Sequence, residues 1–227
     1  YSQAPACCAE EASKWSRPVS LGGPINLTTA IAADEQGRLH TVFASLETRN
    51  IVYRRSDDNG ATWPIWTEIL GSEHLGEYPA YPRVAVDGRG RIHVVWSVMP
   101  WPGSAVMYAR SEDNGQTWTS PRNIDTATRA DYAAEFGPIL ISIATHGNDE
   151  VHLIWDGAPT VERNHVWSTD GGSTWTAPVL LIPEVTKAGR SGWNDMAFDS
   201  AGSLHVVSLP KPYYANWNRK TWSPSTI

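Results

Sequence analysis

Ser111-Glu112-Asp113-Asn114-Gly115-Gln116-Thr117-Trp118 is one of three copies of a single octapeptide in this chain. The others are Ser56-Asp57-Asp58-Asn59-Gly60-Ala61-Thr62-Trp63 and Ser168-Thr169-Asp170-Gly171-Gly172-Ser173-Thr174-Trp175. All read S-x-D-x-G-x-T-W, and their tryptophans stand 55 and 57 residues apart. Self-similarity at a fixed period marks a repeat architecture, each copy being one supersecondary unit. The octapeptide has the chemistry of a tight turn. Asp58, Asp113 and Asp170 can accept hydrogen bonds from backbone N–H groups of their own turn. Gly60, Gly115 and Gly172 can take the positive φ such a turn needs. The threonines open the next strand, and Trp63, Trp118 and Trp175 are large enough to wedge between units. Calcium loops place several oxygens at alternating positions. These turns do not, so no metal site is read from them.

A second motif keeps the same beat ahead of the first. It ends in His40, His93 and His205, with a looser copy at His152, at intervals of 53, 59 and 53 residues. Between the motifs the second unit parses into four short strands. They are Arg83–Val86, Ile92–Ser97, Ala105–Arg110 and the stretch from Thr119 to Ile124. Four-stranded units at a period near about 50 residues predict an all-β fold, a β-propeller of antiparallel blades. A lone blade cannot cover both its faces, so neighbours must stack on it. The recurring histidines are expected to pack within blades. His74, His146 and His165 are scattered, without a second ligand at metal spacing.

The units run roughly over 22–70, 71–125, 126–182 and 183–227, after a tail at 1–13. The segment 14–21 reads as an outer strand without companions. Trp217-Asn218-Arg219-Lys220-Thr221-Trp222 reads as a fourth box that has lost its Asp and Gly. The chain opens on Tyr1 with no apolar leader ahead of it, which suggests a processed or partial sequence. Cys7 and Cys8 are adjacent and fit no metal or haem spacing. They hint at a secreted, oxidising setting; pairing with another segment or chain is at least as open as a strained ring between the two, and two free or tail-pairing thiols is the reading preferred.

Composition agrees with a packed globular chain. Of 227 residues, 19% are charged and 41% hydrophobic, with Gly 18, Pro 16 and twelve Trp. A net charge of −6 and the lack of any basic run speak against a nucleic-acid surface. No apolar stretch reaches the ~20 residues of a membrane span. No cofactor is read from the sequence.

The octapeptide and the strands around it resemble the Asp-box, or bacterial neuraminidase repeat, of sialidase-type β-propellers. The resemblance covers the chain from about residue 14 onward. It implies a six-bladed ring, of which these four units make about two thirds, so the chain is a fragment, closes through a partner, or is an unusually small propeller. It is specific for fold and much less so for activity, because Asp-boxes also occur in lectins and sorting receptors.

In such a propeller the loops before the first strand and after the second gather at the end opposite the boxes. The resemblance implies three Arg holding a carboxylate, an Asp as acid/base, and a Tyr paired with a Glu as nucleophile. Guanidinium suits a carboxylate because it donates two parallel hydrogen bonds. Arg83, Arg129 and Arg190 fall one per loop in three successive units. Asp131, Glu135 and Asp195 (with Glu77) are candidate acids, and Tyr78, Tyr81 and Tyr132 candidate phenols. Trp101 and Trp193 are candidate platforms for a sugar or a protein. The departures are clear. No Arg-Ile-Pro segment exists; Tyr81-Pro82-Arg83-Val84 has the wrong order and register. No Tyr–Glu pair is recognisable, and each Arg also reads as a surface residue in a loop salt bridge.

The expected function is therefore glycan recognition by a secreted or cell-surface sialidase-like module, with catalysis open. The alternatives are an exo-sialidase-type glycoside hydrolase and a structural propeller that assembles through open blade edges or through Cys7 and Cys8.

Overall fold

The structure, a computed structural model, describes residues 17–71, 77–99, 105–125, 139–157, 162–181, 194–208 and 213–223. Among them are fifteen strands and no helix. They form four antiparallel sheets in chain order. The first holds β1 (Ile25–Ala33), β2 (Leu39–Ser45), β3 (Ile51–Ser56) and β4 (Ile65–Ile69). The second holds β5 (Tyr78–Val86), β6 (Ile92–Met99), β7 (Ala105–Ser111) and β8 (Arg122–Asn123). The third holds β9 (Ile139–His146), β10 (Glu150–Gly157), β11 (Glu162–Ser168) and β12 (Val179–Leu180). The fourth has β13 (Asn194–Phe198), β14 (Leu204–Ser208) and β15 (Tyr213–Trp217), extended by a single bridge from Trp217 to Trp222. The fourth strand of the second sheet is shorter than the Thr119–Ile124 run expected. Pro121 cannot donate to a ladder, and Thr119 instead closes the turn onto the Arg110 carbonyl at 2.9 Å.

The sheets are the blades of a partial sialidase-type propeller. The inner strands pack side by side, β1 on β5, β5 on β9 and β9 on β13; among the described residues no comparable packing brings β13 back to β1. Buried cores lie between sheets, not within them. One joins the first and second (Val42, Tyr53, Val94, Trp96), one the second and third (Val95, Tyr108, Leu153, Trp155), one the third and fourth (Ile154, Leu204, Val206, Trp217). This is why β6 is buried on both faces from Ile92 to Val98. Apolar residues on alternate faces meet different neighbours.

The three octapeptides make the same turn. Asp58 Oδ1 accepts from the Thr62 amide at 2.8 Å and Oδ2 from the Thr62 hydroxyl at 2.6 Å. Ser56 Oγ donates to Asp58 Oδ1 at 2.7 Å and accepts from the Gly60 amide at 2.8 Å. The Ser111–Asp113–Thr117 and Ser168–Asp170–Thr174 sets repeat the pattern. The Thr62 hydroxyl and amide hold the Asp58 carboxyl down at about 2, and Thr117 does the same for Asp113. Burial pushes Asp170 up, but bonds from Thr174 overcome it and leave it low. The three glycines have φ of 86°, 84° and 80°.

Each turn after the first receives a side chain from the preceding sheet. Tyr53 lies against Gly115, where a Cβ would fall inside the ring, and meets Trp118 edge-on at 5.1 Å. Tyr108 does the same at Gly172, with Trp175 at 5.0 Å. In the third sheet the incoming side chain is His165, and it meets Trp222 and Trp217. The turn it enters has no glycine. Asn218 accepts from the Lys220 and Thr221 amides at 3.0 and 2.9 Å, and Arg219 takes the left-handed conformation, φ 73°. A phenol needs the missing Cβ of glycine; a shorter imidazole fits where arginine stands.

Behind each incoming ring is the repeat histidine. His93 Nε2 faces Asp87 at 3.2 Å and Nδ1 faces the Tyr108 hydroxyl at 2.8 Å. His40 does so with Asp34 (3.1 Å) and Tyr53 (2.7 Å). A carboxylate only accepts, so Nε2 donates and Nδ1 accepts from the phenol, which defines a neutral tautomer. In the third sheet His152 bonds Glu150 at 3.1 Å and His165 at 2.9 Å. Burial holds His40, His93, His152 and His165 below the usual histidine range; Asp34, Asp87 and Glu150 oppose it at their partners, while the neighbouring His152 lowers His165 further. Arginines staple the same seams: Arg55 to the Asn114 carbonyl (2.6 Å), Arg110 to that of Gly171 (2.6 Å), and Arg91 to Asp149 (2.7 Å).

Candidate functional site

The octapeptide turns and the hairpins before each repeat histidine lie at one end of the sheets. Strand antiparallelism then puts the starts of β5, β9 and β13 and the ends of β6, β10 and β14 at the other. Three inner strands are irregular there: β1 between Ile25↔Ser45 and Thr29↔Phe43, and, with a residue of positive φ, β5 and β9. In β5 the pairing jumps from Ala80↔Ser97 to Arg83↔Val95, with Tyr81 at φ 52° and Pro82 unpaired. In β9 it jumps from Ile139↔Asp156 to Ser142↔Ile154, with Leu140 at φ 54°. Non-glycine residues with positive φ are costly and gather at functional bulges.

Just below the bulges one position recurs. Ala30, Arg83, Ser142 and Asp195 all pair with the residue two beyond a repeat histidine: Val42, Val95, Ile154 and Val207. From the second sheet to the fourth the recurring position carries a cation, a hydroxyl and an anion. Ser142 Oγ reaches Asp195 Oδ1 at 3.5 Å and the Asn194 carbonyl at 3.1 Å. Burial lowers the Arg83 pKa and the Asp195 charge opposes that shift.

Beside this row, buried polar groups join the third and fourth sheets. Asn194 Nδ2 donates to Asp156 Oδ1 and Ser208 Oγ to Asn194 Oδ1, both at 2.7 Å. Arg163 Nε donates to Ser208 Oγ and lies 3.8 Å from Asp156 Oδ1. Ser142, Asp156, Arg163, Asn194 and Ser208 are all buried. Sheet ends exposed to solvent do not need such a network; it holds the inner strands in one register. Its members carry no motif, and the nearest sequence signal was the neighbouring Asp195.

Of the expected site residues, Tyr78, Tyr81 and Arg83 stand in β5 and not in a loop ahead of it, and Asp195 is the second residue of β13, exposed. Tyr78 pairs with Met99 before the bulge. Arg129, Asp131, Tyr132, Glu135, Arg190, Trp101 and Trp193 lie outside the described residues, as do Cys7, Cys8 and the rest of the 1–13 tail. Of 14–21, residues 17–21 are described and form no strand. Among the described residues no cluster of metal-type ligands converges, and no helix is long and apolar enough to cross a membrane.

A separate cleft of about 320 Å³ lies at the box end, lined by Tyr108, Arg110, Arg122 and Ser173 among others. Its guanidiniums are already committed: Arg122 to the Ser173 and Gly172 carbonyls and Arg110 to Glu112 at 2.8 Å. It belongs to the seam between sheets.

No protein-family description and no curated protein sequence matches the chain. Solved structures do match its fold. A Hadza microbial sialidase shares 18% identity with TM-score 0.59, over 86% of this chain and 45% of its own. The intramolecular trans-sialidase from Ruminococcus gnavus shares 11% with TM-score 0.63, over 88% and 70%. A polysaccharide lyase of family PL25, an ulvan lyase, shares 15% with TM-score 0.54, over 86% and 56%. The chain thus spans about half the length of the sialidase and the lyase. The similarity is one of fold, and the solved neighbours include carbohydrate-active propellers.

Proposed function

We propose that this chain recognises glycans at the end of the inner strands opposite the octapeptide turns, as a secreted or cell-surface module of sialidase-like build. The observation that carries this is the row Arg83–Ser142–Asp195, three adjacent inner strands offering a cation, a hydroxyl and an anion beneath two strained bulges. A guanidinium of lowered solvation suits the carboxylate of an acidic sugar, sialic or uronic. The adjoining buried network keeps that row from shifting. The carbohydrate-active neighbours support the reading as analogy of fold. Binding of sialyllactose and of a uronate oligosaccharide, measured by calorimetry, tests it; Arg83→Ala should weaken binding at least about tenfold. An unchanged affinity, or no binding of any acidic glycan, refutes it. Hydrolysis of a fluorogenic sialoside, abolished by Arg190→Ala, would place the chain among exo-sialidase-type hydrolases.

A second reading is assembly with protein through the faces of the first and last sheets that no other described sheet covers. It is favoured by apolar residues exposed there: Ile25, Ile31 and Trp66 in one, Val207 and Tyr214 in the other.

A further inference from the structure

We propose that the two ends of this arc are complementary halves of one joint, and that copies of the chain associate head to tail through them. Tyr214 of one copy enters the Gly60–Trp63 turn of the next. This deepens the assembly reading and rests on it; the glycan reading is independent.

Within the chain, tyrosine makes this joint twice, at Gly115–Trp118 and at Gly172–Trp175. The fourth sheet carries a third tyrosine half already formed. His205 Nδ1 faces the Tyr214 hydroxyl at 2.7 Å, and Nε2 faces Asp199 at 3.0 Å. The His205 and Tyr214 rings lie 5.9 Å apart at 26°, against 6.1 Å and 26° for His93 and Tyr108. Yet Tyr214 is 38% exposed where Tyr108 is 2%. Val207, two residues beyond its histidine, is 50% exposed, while the equivalent Val95 is fully buried.

The first sheet carries the other half. Gly60 has φ 86°, like its counterparts, but among the described residues a Cβ there would meet only Leu39 at 3.6 Å and Trp63 at 3.9 Å, both of its own sheet. Ala30, Ala32 and Thr67 face the second sheet, so Ile31 and Trp66, on alternate positions, face the other way. Ile31 is 63% exposed; Val84, at the same register in the second sheet, is 8%.

Each end therefore shows the half that the other lacks. Pairing Tyr214 faces with one another would leave the Gly60 turn unused, whereas a second copy in head-to-tail order supplies a full S-x-D-x-G-x-T-W turn. Such a contact is heterologous, so it closes a ring or extends a filament.

Sedimentation velocity on the full chain, over roughly 1 to 200 µM, reads the outcome. The mass should rise above 25.0 kDa in whole multiples. Tyr214→Arg and Ile31→Arg, both at exposed positions that the fold tolerates, should each raise the dissociation constant at least about tenfold. Circular dichroism and melting confirm that both variants fold. An equimolar mixture of the two retains one intact joint and should give a 1:1 dimer that neither forms alone. A wild-type chain that stays monomeric throughout overturns both this proposal and the assembly reading. Association indifferent to Ile31→Arg, or a mixture that fails to dimerise, overturns head-to-tail pairing while leaving assembly by another surface in place.

Discussion

Gly60→Ala, Gly115→Ala and Gly172→Ala form a matched set, because the three glycines share nearly one backbone conformation, φ 86°, 84° and 80°, in the same turn. Giving any of them a side chain in the left-handed region costs about 1–2 kcal/mol. At Gly60 that is the whole cost, since among the described residues the new methyl meets nothing closer than 3.6 Å. At Gly115 the methyl falls inside the ring of Tyr53, and at Gly172 on the hydroxyl of Tyr108. Both rings are buried, so neither can swing into solvent. Overpacking of this kind adds about 1–3 kcal/mol. A ring that retreats also loosens its hydrogen bond to His40 or His93, a further ~1 kcal/mol. Gly115→Ala and Gly172→Ala should thus each lose about 3–6 kcal/mol, and Gly60→Ala about 1–2. Urea unfolding followed by tryptophan fluorescence at low protein concentration measures all three. Equal losses across the set would refute the reasoning, for the cost would then be backbone strain alone and the tyrosines would not be seated in the turns.

Lowering the pH from 7 to 5 should destabilise the fold through its buried histidines. Their folded pKa values lie below the usual value near 6.5, so below that value the unfolded chain binds the extra protons. Each histidine that stays neutral then costs about 1.4 kcal/mol per pH unit, read as a falling melting temperature. The depressed Asp58 and Asp113 act in a lower window: their contribution is complete above about 3.8 and fades as pH falls toward about 2, so a melting temperature flat from pH 7 to 5 would contradict the histidine assignment and not theirs. Tyr108→Phe leaves the buried His93 Nδ1 without its donor and should cost about 1–3 kcal/mol in urea unfolding; a neutral result would mean that the phenol is not the donor. Asn194→Ala removes two buried hydrogen bonds of 2.7 Å to Asp156 and Ser208 and should cost about 2–4 kcal/mol by the same assay.

The propeller was legible because its turns repeat covalently: a serine, an aspartate, a glycine, a threonine and a tryptophan at fixed offsets have few solutions other than a closed turn between strands. The fourth copy looked decayed because the pattern was read by letters. Asn218 and Arg219 do the work of Asp and Gly by hydrogen bonding and by φ, which letters do not record. The incoming rings were overlooked although a signal existed, since Tyr53, Tyr108 and His165 each precede the box serine by three residues; His165 was therefore no scattered histidine. The polar network was not legible at all. Asp156, Arg163, Asn194 and Ser208 come from four strands of two sheets, and only the stacking of those sheets makes them neighbours. Arg83 and Asp195 were visible as charged residues near strand starts, but their shared place in the register follows from counting outward from the histidines.

The mismatch between an imidazole facing an arginine-bearing turn and phenols facing glycine-bearing ones has an evolutionary consequence. Repeats that arise by duplication begin interchangeable, each able to sit beside any other. Here the third and fourth have become a private pair: transplant the fourth behind the second and its turn would collide with Tyr108; insert a fresh duplicate between third and fourth and the imidazole would face a hollow too deep for it. The third and fourth petals are thus held together as a pair by two matched residues, while the seams before them, both tyrosine into glycine, would still accept a duplicate.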